Sequence, residues 1–230
     1  MRRKRIGLLI PSPNVVAEPE LGRRLPDNVS LHTARMYWTR GGEAEMLDRY
    51  LPDALRDLAS LHPDVVIFAC TTAGALRGNA SEQALIRSIE EATGAPAISV
   101  LAESIAALRR IGARHVGVLT PYPEEDNHHI AAALGEAGVD VVAIDGLRLP
   151  GVASPELTAD DLIPFGRHVL TGKRFDAVFI ACTNLFTIDA LPAFEAAFGA
   201  PVVSTLAAAR EAALRALAQP AAPDTVALSS

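Results

Sequence analysis

Short runs of β-branched and aliphatic residues with no polar alternation punctuate this chain, and stretches of helical periodicity separate them. A run of that kind reads as a strand buried on both faces, the signature of a parallel sheet covered by helices. Such runs fall at Arg5–Ile10, Asp64–Ala69, Ala97–Val100, Arg114–Thr120, Val139–Ile144 and Asp176–Ala181, and a more polar strand is expected near Val29–Met36. Helices are expected from about Glu43 to Leu61, from Ser81 to Thr93, from Leu101 to Ile111, from Glu124 to Ala137, near Thr187–Phe198 and over Thr205–Ala218. Gly94, Gly112 and Gly138 supply stop signals, and Thr158 with Asp161 forms a capping-box pattern for a helix running to Leu170.

The pattern repeats. Asp64-Val65-Val66-Ile67-Phe68-Ala69-Cys70-Thr71-Thr72 returns 112 positions on as Asp176-Ala177-Val178-Phe179-Ile180-Ala181-Cys182-Thr183-Asn184. The run that begins at Lys4 and ends in Pro11-Ser12-Pro13-Asn14 returns 110 positions on, beginning at Arg114 and ending in Pro121-Tyr122-Pro123. Gly94-Ala95-Pro96 returns 105 positions on as Gly199-Ala200-Pro201. Three landmarks in one order at nearly one spacing indicate an internal duplication.

The expected architecture is α/β, with two pseudo-twofold-related flavodoxin-like units, each a short parallel sheet with helices on both faces. Residues 1–112 and 113–218 form the halves, and 219–230, rich in Pro, Ala and Ser, a flexible tail. In such sheets ligands lie beyond the carboxyl ends of the strands, where the Pro-x-Pro turns and both cysteines fall.

Composition narrows the picture. Of 230 residues half are hydrophobic, and a net charge of -6 gives no footprint for nucleic acid. The basic start, Arg2 to Arg5, is followed by an apolar run that stops at Pro11, too short for a signal peptide. No stretch approaches a membrane span. A cytoplasmic protein is therefore expected, with its two cysteines as free thiols.

A lone cysteine after an apolar strand is ordinarily a small buried hydrophobe. Here Cys70 and Cys182 are the only cysteines, they occupy equivalent positions, and each precedes a polar loop and an expected helix. A thiolate on one face of a flat substrate and a thiol on the other can add to a carbon, or take a proton from one side and return it from the opposite side. No Gly-x-Gly-x-x-Gly motif, P-loop lysine or zinc-ligand cluster is present, so no cofactor or metal is expected. Asn14 reads either as a turn or helix cap or as a donor to a carboxylate, and Tyr122 either as a ring packed on prolines or as such a donor. Thr71, Thr72, Thr183 and Asn184 are candidate donors around a small carboxylate substrate. Asn127 reads as a cap or a cleft residue, His128 and His129 as solvated or packed, and Arg77 as a surface arginine or an anion partner. The segments Leu31–Trp38 and Leu147–Ser154 are expected to contribute to the pocket.

These features together resemble the aspartate/glutamate racemase superfamily, most closely its maleate cis-trans isomerase and arylmalonate decarboxylase branch. The resemblance runs from about Arg5 to Ala218. It implies that Cys70 adds to the double bond of maleate, that rotation and expulsion of the thiol give fumarate, and that Cys182 is the partner acid or base, with Asn14 and Tyr122 holding carboxylates. Arylmalonate decarboxylases keep only the second cysteine, so Cys70 argues against decarboxylation. A racemase or epimerase by two-thiol proton exchange, as presumed for related proteins of ectoine utilisation, an arylmalonate decarboxylase-like activity, and a non-catalytic carboxylate sensor are the alternatives. A homo-oligomer, dimer or tetramer, is expected from the resemblance.

Overall fold

The computed structural model describes residues 2–149 and 151–218. The expected tail at 219–230 lies outside the described residues. The first half runs β1 (Lys4–Pro11), α1 (Ala17–Gly22), β2 (Val29–Met36), α2 (Glu43–Glu45), a π-helical turn (Met46–Tyr50), α3 (Leu51–Ala59), β3 (Val65–Phe68), α4 (Thr71–Ala75), α5 (Asn79–Thr93), β4 (Ala97–Ser99) and α6 (Val100–Arg110). The second half runs β5 (His115–Thr120), α7 (Glu124–Glu136), β6 (Asp140–Gly146), a 3-10 turn (Gly151–Glu156), α8 (Ala159–Val169), β7 (Ala177–Ile180), α9 (Leu191–Phe198), β8 (Val202–Ser204) and α10 (Thr205–Ala218).

Each half builds a four-stranded parallel sheet, ordered β2-β1-β3-β4 in one and β6-β5-β7-β8 in the other. The two halves repeat in register as well as in order: Leu9 pairs with Phe68, and Leu119 with Ile180. Each cysteine, two residues past its strand, is thereby set beside the turn that follows the neighbouring strand. The repeated Gly-Ala-Pro landmarks have a backbone cause, since Gly94 and Gly199 end α5 and α9 in the left-handed conformation, at φ 67° and 66°.

Side chains of the buried strands alternate between two helical layers, and the outer layers are exchanged between halves. Ile6, Leu8, Val65 and Ile67 of the first sheet pack against Leu206, Ala209 and Ala213 of α10, the last helix of the second half. Val116, Val118 and Phe179 of the second sheet pack against Leu101, Ile105 and Leu108 of α6, the last helix of the first. The opposite faces stay local: Leu9 and Phe68 meet Leu55 and Leu58 of α3, and Val178 and Ile180 meet Leu162 of α8 and Phe194 of α9. Apolar area removed from water is the main driving force for folding, and here neither sheet completes its core without the other half's helix.

Local departures from expectation have identifiable causes. Helix α1 forms although Pro19 lies within it, because its first-turn N–H groups need no helical partner and the Asn14 side chain accepts those of Val16 and Ala17, at 3.1 and 2.9 Å. The helix from Glu43 holds its predicted course but passes through the π-helical turn. The helix expected near Thr187–Phe198 is present as α9, opening four residues later, at Leu191. Among the described residues no helix is long and apolar enough to cross a membrane.

Candidate active site

Four segments, the two Pro-rich turns and the two cysteine loops, line one cavity of about 70 Å³ between the sheet ends. Its wall includes Pro11, Pro13 and Asn14, then Cys70, Thr71 and Thr72, then Tyr122, and then Cys182, Thr183 and Asn184. All eight candidate site residues are thus brought together. Of the two segments expected to contribute, only Trp38 and Ser154 reach the wall.

Both thiols are free and almost fully enclosed, Cys70 at 5% and Cys182 at 4% exposure. Burial pushes the Cys70 thiol up to about 12; the Ala73 N–H and the Thr72 hydroxyl oppose this, and the charge of Glu43 adds to it. Cys182 is pushed up to about 11 by burial, against the pull of Tyr122 and of the Asn184 N–H, whose nitrogen lies 3.2 Å from its Sγ. Tyr122, between them, is held well above its ordinary value by burial and then by the proximity of Cys182 and Cys70. Burial thus favours the neutral form of both thiols and of the phenol.

The cysteine loops are held by bonds that cross between halves. The Asn14 side-chain nitrogen donates to the Thr183 carbonyl and hydroxyl at 3.2 and 3.0 Å, while its oxygen caps α1. The Thr183 hydroxyl donates to the Ala69 carbonyl at 3.2 Å, and the Val15 N–H donates to the Asn184 side chain at 2.9 Å. Buried Glu20 of α1 accepts the N–H groups of Thr187 and Ile188 at 3.0 and 2.6 Å, tying down the loop that follows Cys182. The carboxyl of Glu20 is raised by its burial, against those N–H groups and Arg24.

Uncommitted polarity is scarce in this wall. The Thr71 hydroxyl is buried with no hydrogen-bond partner among the described residues, and it lies near enough to Tyr122 to oppose the rise of that phenol. Thr72 is engaged, donating to Glu43 Oε1 at 3.1 Å, and the same oxygen accepts Trp38 Nε1–H at 3.0 Å. No Lys, Arg or His among the described residues lines the cavity. Glu43 was not legible in the sequence, where it is only a first-turn acid of an expected helix.

The remaining candidates sit elsewhere. Asn127 is buried but accepts the Thr120 hydroxyl at 2.6 Å, and Thr120 Oγ1 in turn accepts the Tyr122 N–H at 3.0 Å, so it supports the Tyr122 turn from behind. Arg77 pairs with Asp48 at 3.3 Å on the surface, and His128 is exposed, 3.8 Å from Glu124. No cluster of His, Cys, Asp and Glu suited to a metal ion occurs among the described residues.

A family model described as arylmalonate decarboxylase matches residues 30–227. The chain belongs to the arylmalonate decarboxylase family. Within it, the arylmalonate decarboxylase of Bordetella bronchiseptica is 30% identical over 155 residues, covering 66% of this chain and 65% of that protein. A maleate isomerase of Nocardia farcinica is 26% identical over 234 residues, covering 95% and 92%. A solved cysteine-to-serine mutant of the Nocardia farcinica maleate cis-trans isomerase, with a covalently bound succinylcysteine intermediate, superimposes with a TM-score of 0.84 at 25% identity over 94% of each chain. By these relatives the chain is an enzyme, of isomerase or decarboxylase chemistry, on the duplicated parallel-sheet fold of the family.

Proposed function

We propose that this enzyme isomerises a small dicarboxylate, maleate to fumarate, without a cofactor. One observation carries the proposal: two buried thiols, delivered from equivalent positions of the two halves, line one small cavity. Cys70 sulfur adds to one alkene carbon, the π pair moves to its neighbour, and Cys182 gives that neighbour its proton. Rotation about the single bond follows. Return of the proton to Cys182 and expulsion of Cys70 then release the trans isomer.

Tyr122 and the unpartnered Thr71 hydroxyl are the donors we assign to the substrate carboxylates. Asn14, Thr183 and Asn184 shape the wall, and the bonds from Asn14 to Thr183 and from the Val15 N–H to Asn184 hold the loop beside Cys182. The named activity of the maleate isomerase relatives supports this reading, and so does the presence of both cysteines. The test is intact mass of the Cys182→Ser variant after incubation with maleate. A gain of one maleate, mapped to Cys70 and absent from the Cys70→Ser,Cys182→Ser double variant, is expected. No adduct at Cys70 under any condition that leaves the fold intact overturns the proposal.

Two-thiol racemisation of a carboxylic acid is the second reading. What favours it is the lack of a cation among the described residues of the wall, which leaves a dianion only neutral donors. Solvent deuterium entering the α-carbon of an amino or hydroxy acid would select it.

A further inference from the structure

Burial favours the protonated form of both thiols, yet the proposed addition needs Cys70 to lose its proton to something other than the substrate. Direct loss to bulk water would create a second buried anion beside Glu43, and isolated buried charge is costly. The wall offers a path that avoids this. Cys70 Sγ lies 3.6 Å from Thr72 Oγ1, and Thr72 Oγ1 lies 3.1 Å from Glu43 Oε1. Glu43 is 5% exposed and is anchored by Trp38 Nε1–H at 3.0 Å.

The polarity of this chain follows from its end. A carboxylate only accepts, so the Thr72 hydroxyl must donate to Glu43, and the lone pairs of Thr72 are left to accept the Cys70 S–H. The thiol hydrogen is thereby directed at Thr72 Oγ1. A sulfur lone pair is left for the alkene carbon.

We propose that Glu43 is the positioning residue and proton acceptor for Cys70, acting through Thr72. As sulfur bonds to carbon, its proton passes to Thr72 Oγ1, and the hydroxyl proton of Thr72 passes to Glu43. The substrate carbon takes the proton of Cys182. Glu43 becomes neutral as Cys182 becomes a thiolate, so the site's total charge is unchanged through the addition, and the reverse transfers restore both groups on release. The proposal rests on the reading of Cys70 as the attacking thiol.

Other titratable groups near Glu43 are on α7 and the loop before α2. Asp126 is held above the ordinary carboxylate range by its burial and then by Glu43 and Glu125, with His129 and Arg40 opposing. None of these is in hydrogen-bond contact with Thr72.

The experiment is alkylation of Cys70 by iodoacetamide, followed by mass spectrometry in the Cys182→Ser background, between about pH 6 and pH 9. In that reaction sulfur displaces iodide and its proton leaves by the same path. With Glu43 and Thr72 intact, a limb of the rate independent of pH is expected near neutrality. Glu43→Gln and Thr72→Val each remove it and lower the neutral-pH rate at least about tenfold, leaving a rate that climbs in proportion to hydroxide. Thr72→Ser restores the limb, and Asp126→Asn leaves it in place.

The opposite sign is the overturning result. If Glu43 acts only as a nearby negative charge, Glu43→Gln acidifies the thiol and alkylation speeds up, while Thr72→Val changes little. Loss of the limb in Asp126→Asn would likewise overturn the proposal. Because the readout uses no maleate, failure of isomerisation with the limb intact would count against the substrate and not against the relay.

Discussion

Glu82 gives the sharpest test of the electrostatics beneath the site. It opens onto α4, the short helix that Cys70 caps, and it is 5% exposed. Its carboxylate accepts the hydroxyl of Ser99, which also accepts the N–H groups of Leu101 and Ala102 as the cap of α6. Gly74 packs so closely that a Cβ there would lie 2.6 Å from Glu82 Oε1. Burial raises this carboxyl from 4.5 to about 7, with the Ser99 hydrogen bond opposing.

A raised folded pKa means the native state holds its proton more tightly than the unfolded chain does. The associated stability is complete below the unfolded value of 4.5 and is lost as pH rises through about 7. A shift of that size corresponds to about 3 kcal/mol between the two limits. Glu82→Gln is neutral throughout and keeps an oxygen for Ser99. Urea unfolding should find wild type and variant close at about pH 5, and the variant more stable by up to about 3 kcal/mol at about pH 8. Parallel pH dependences in the two proteins, or a variant less stable at the higher pH, would refute the argument.

Three further outcomes are expected. Glu20→Ala strands the buried N–H groups of Thr187 and Ile188, costing about 2 kcal/mol or more in thermal or chemical unfolding, and it lowers kcat more than it alters KM because the Cys182 loop loosens. Gly146→Ala would place a Cβ 2.0 Å from the Tyr122 carbonyl and 2.6 Å from Thr120 Oγ1, so a loss of about 1–3 kcal/mol and a displaced Tyr122 should appear as a lower Tm with reduced turnover. Asn14→Asp keeps the oxygen that caps α1 but loses the donor to Thr183, so it should cost stability and activity while α1 stays formed by hydrogen exchange.

The sequence made the duplication readable because both copies of the cysteine strand are buried on two faces and so carry an unbroken apolar run. The residues at the strand ends were readable for the same reason: a parallel sheet gathers them at one edge, and Asn14, Cys70, Tyr122 and Cys182 all meet there. What local pattern could not carry is partnership at long range. The carboxylate of Glu20 and the N–H of Thr187 are 167 positions apart, and α6 and α10 each follow a strand of one sheet yet cover the other. Glu43 is of the same kind. Its place at a helix start is unremarkable along the chain, and only the fold sets it behind Thr72 and Trp38. The helix expected near Thr187–Phe198 forms but opens only at Leu191, because the N–H groups of Asn184, Thr187 and Ala190 go to Cys182, Glu20 and a turn carbonyl instead.

Proton NMR of the protein with maleate in deuterated buffer, beside the Cys70→Ser variant, shows whether Cys70 and Cys182 act on a small dicarboxylate. Fumarate forming only where Cys70 is intact is the predicted result. Maleate left unchanged by the wild-type protein, or fumarate formed equally by the Cys70→Ser variant, would contradict it.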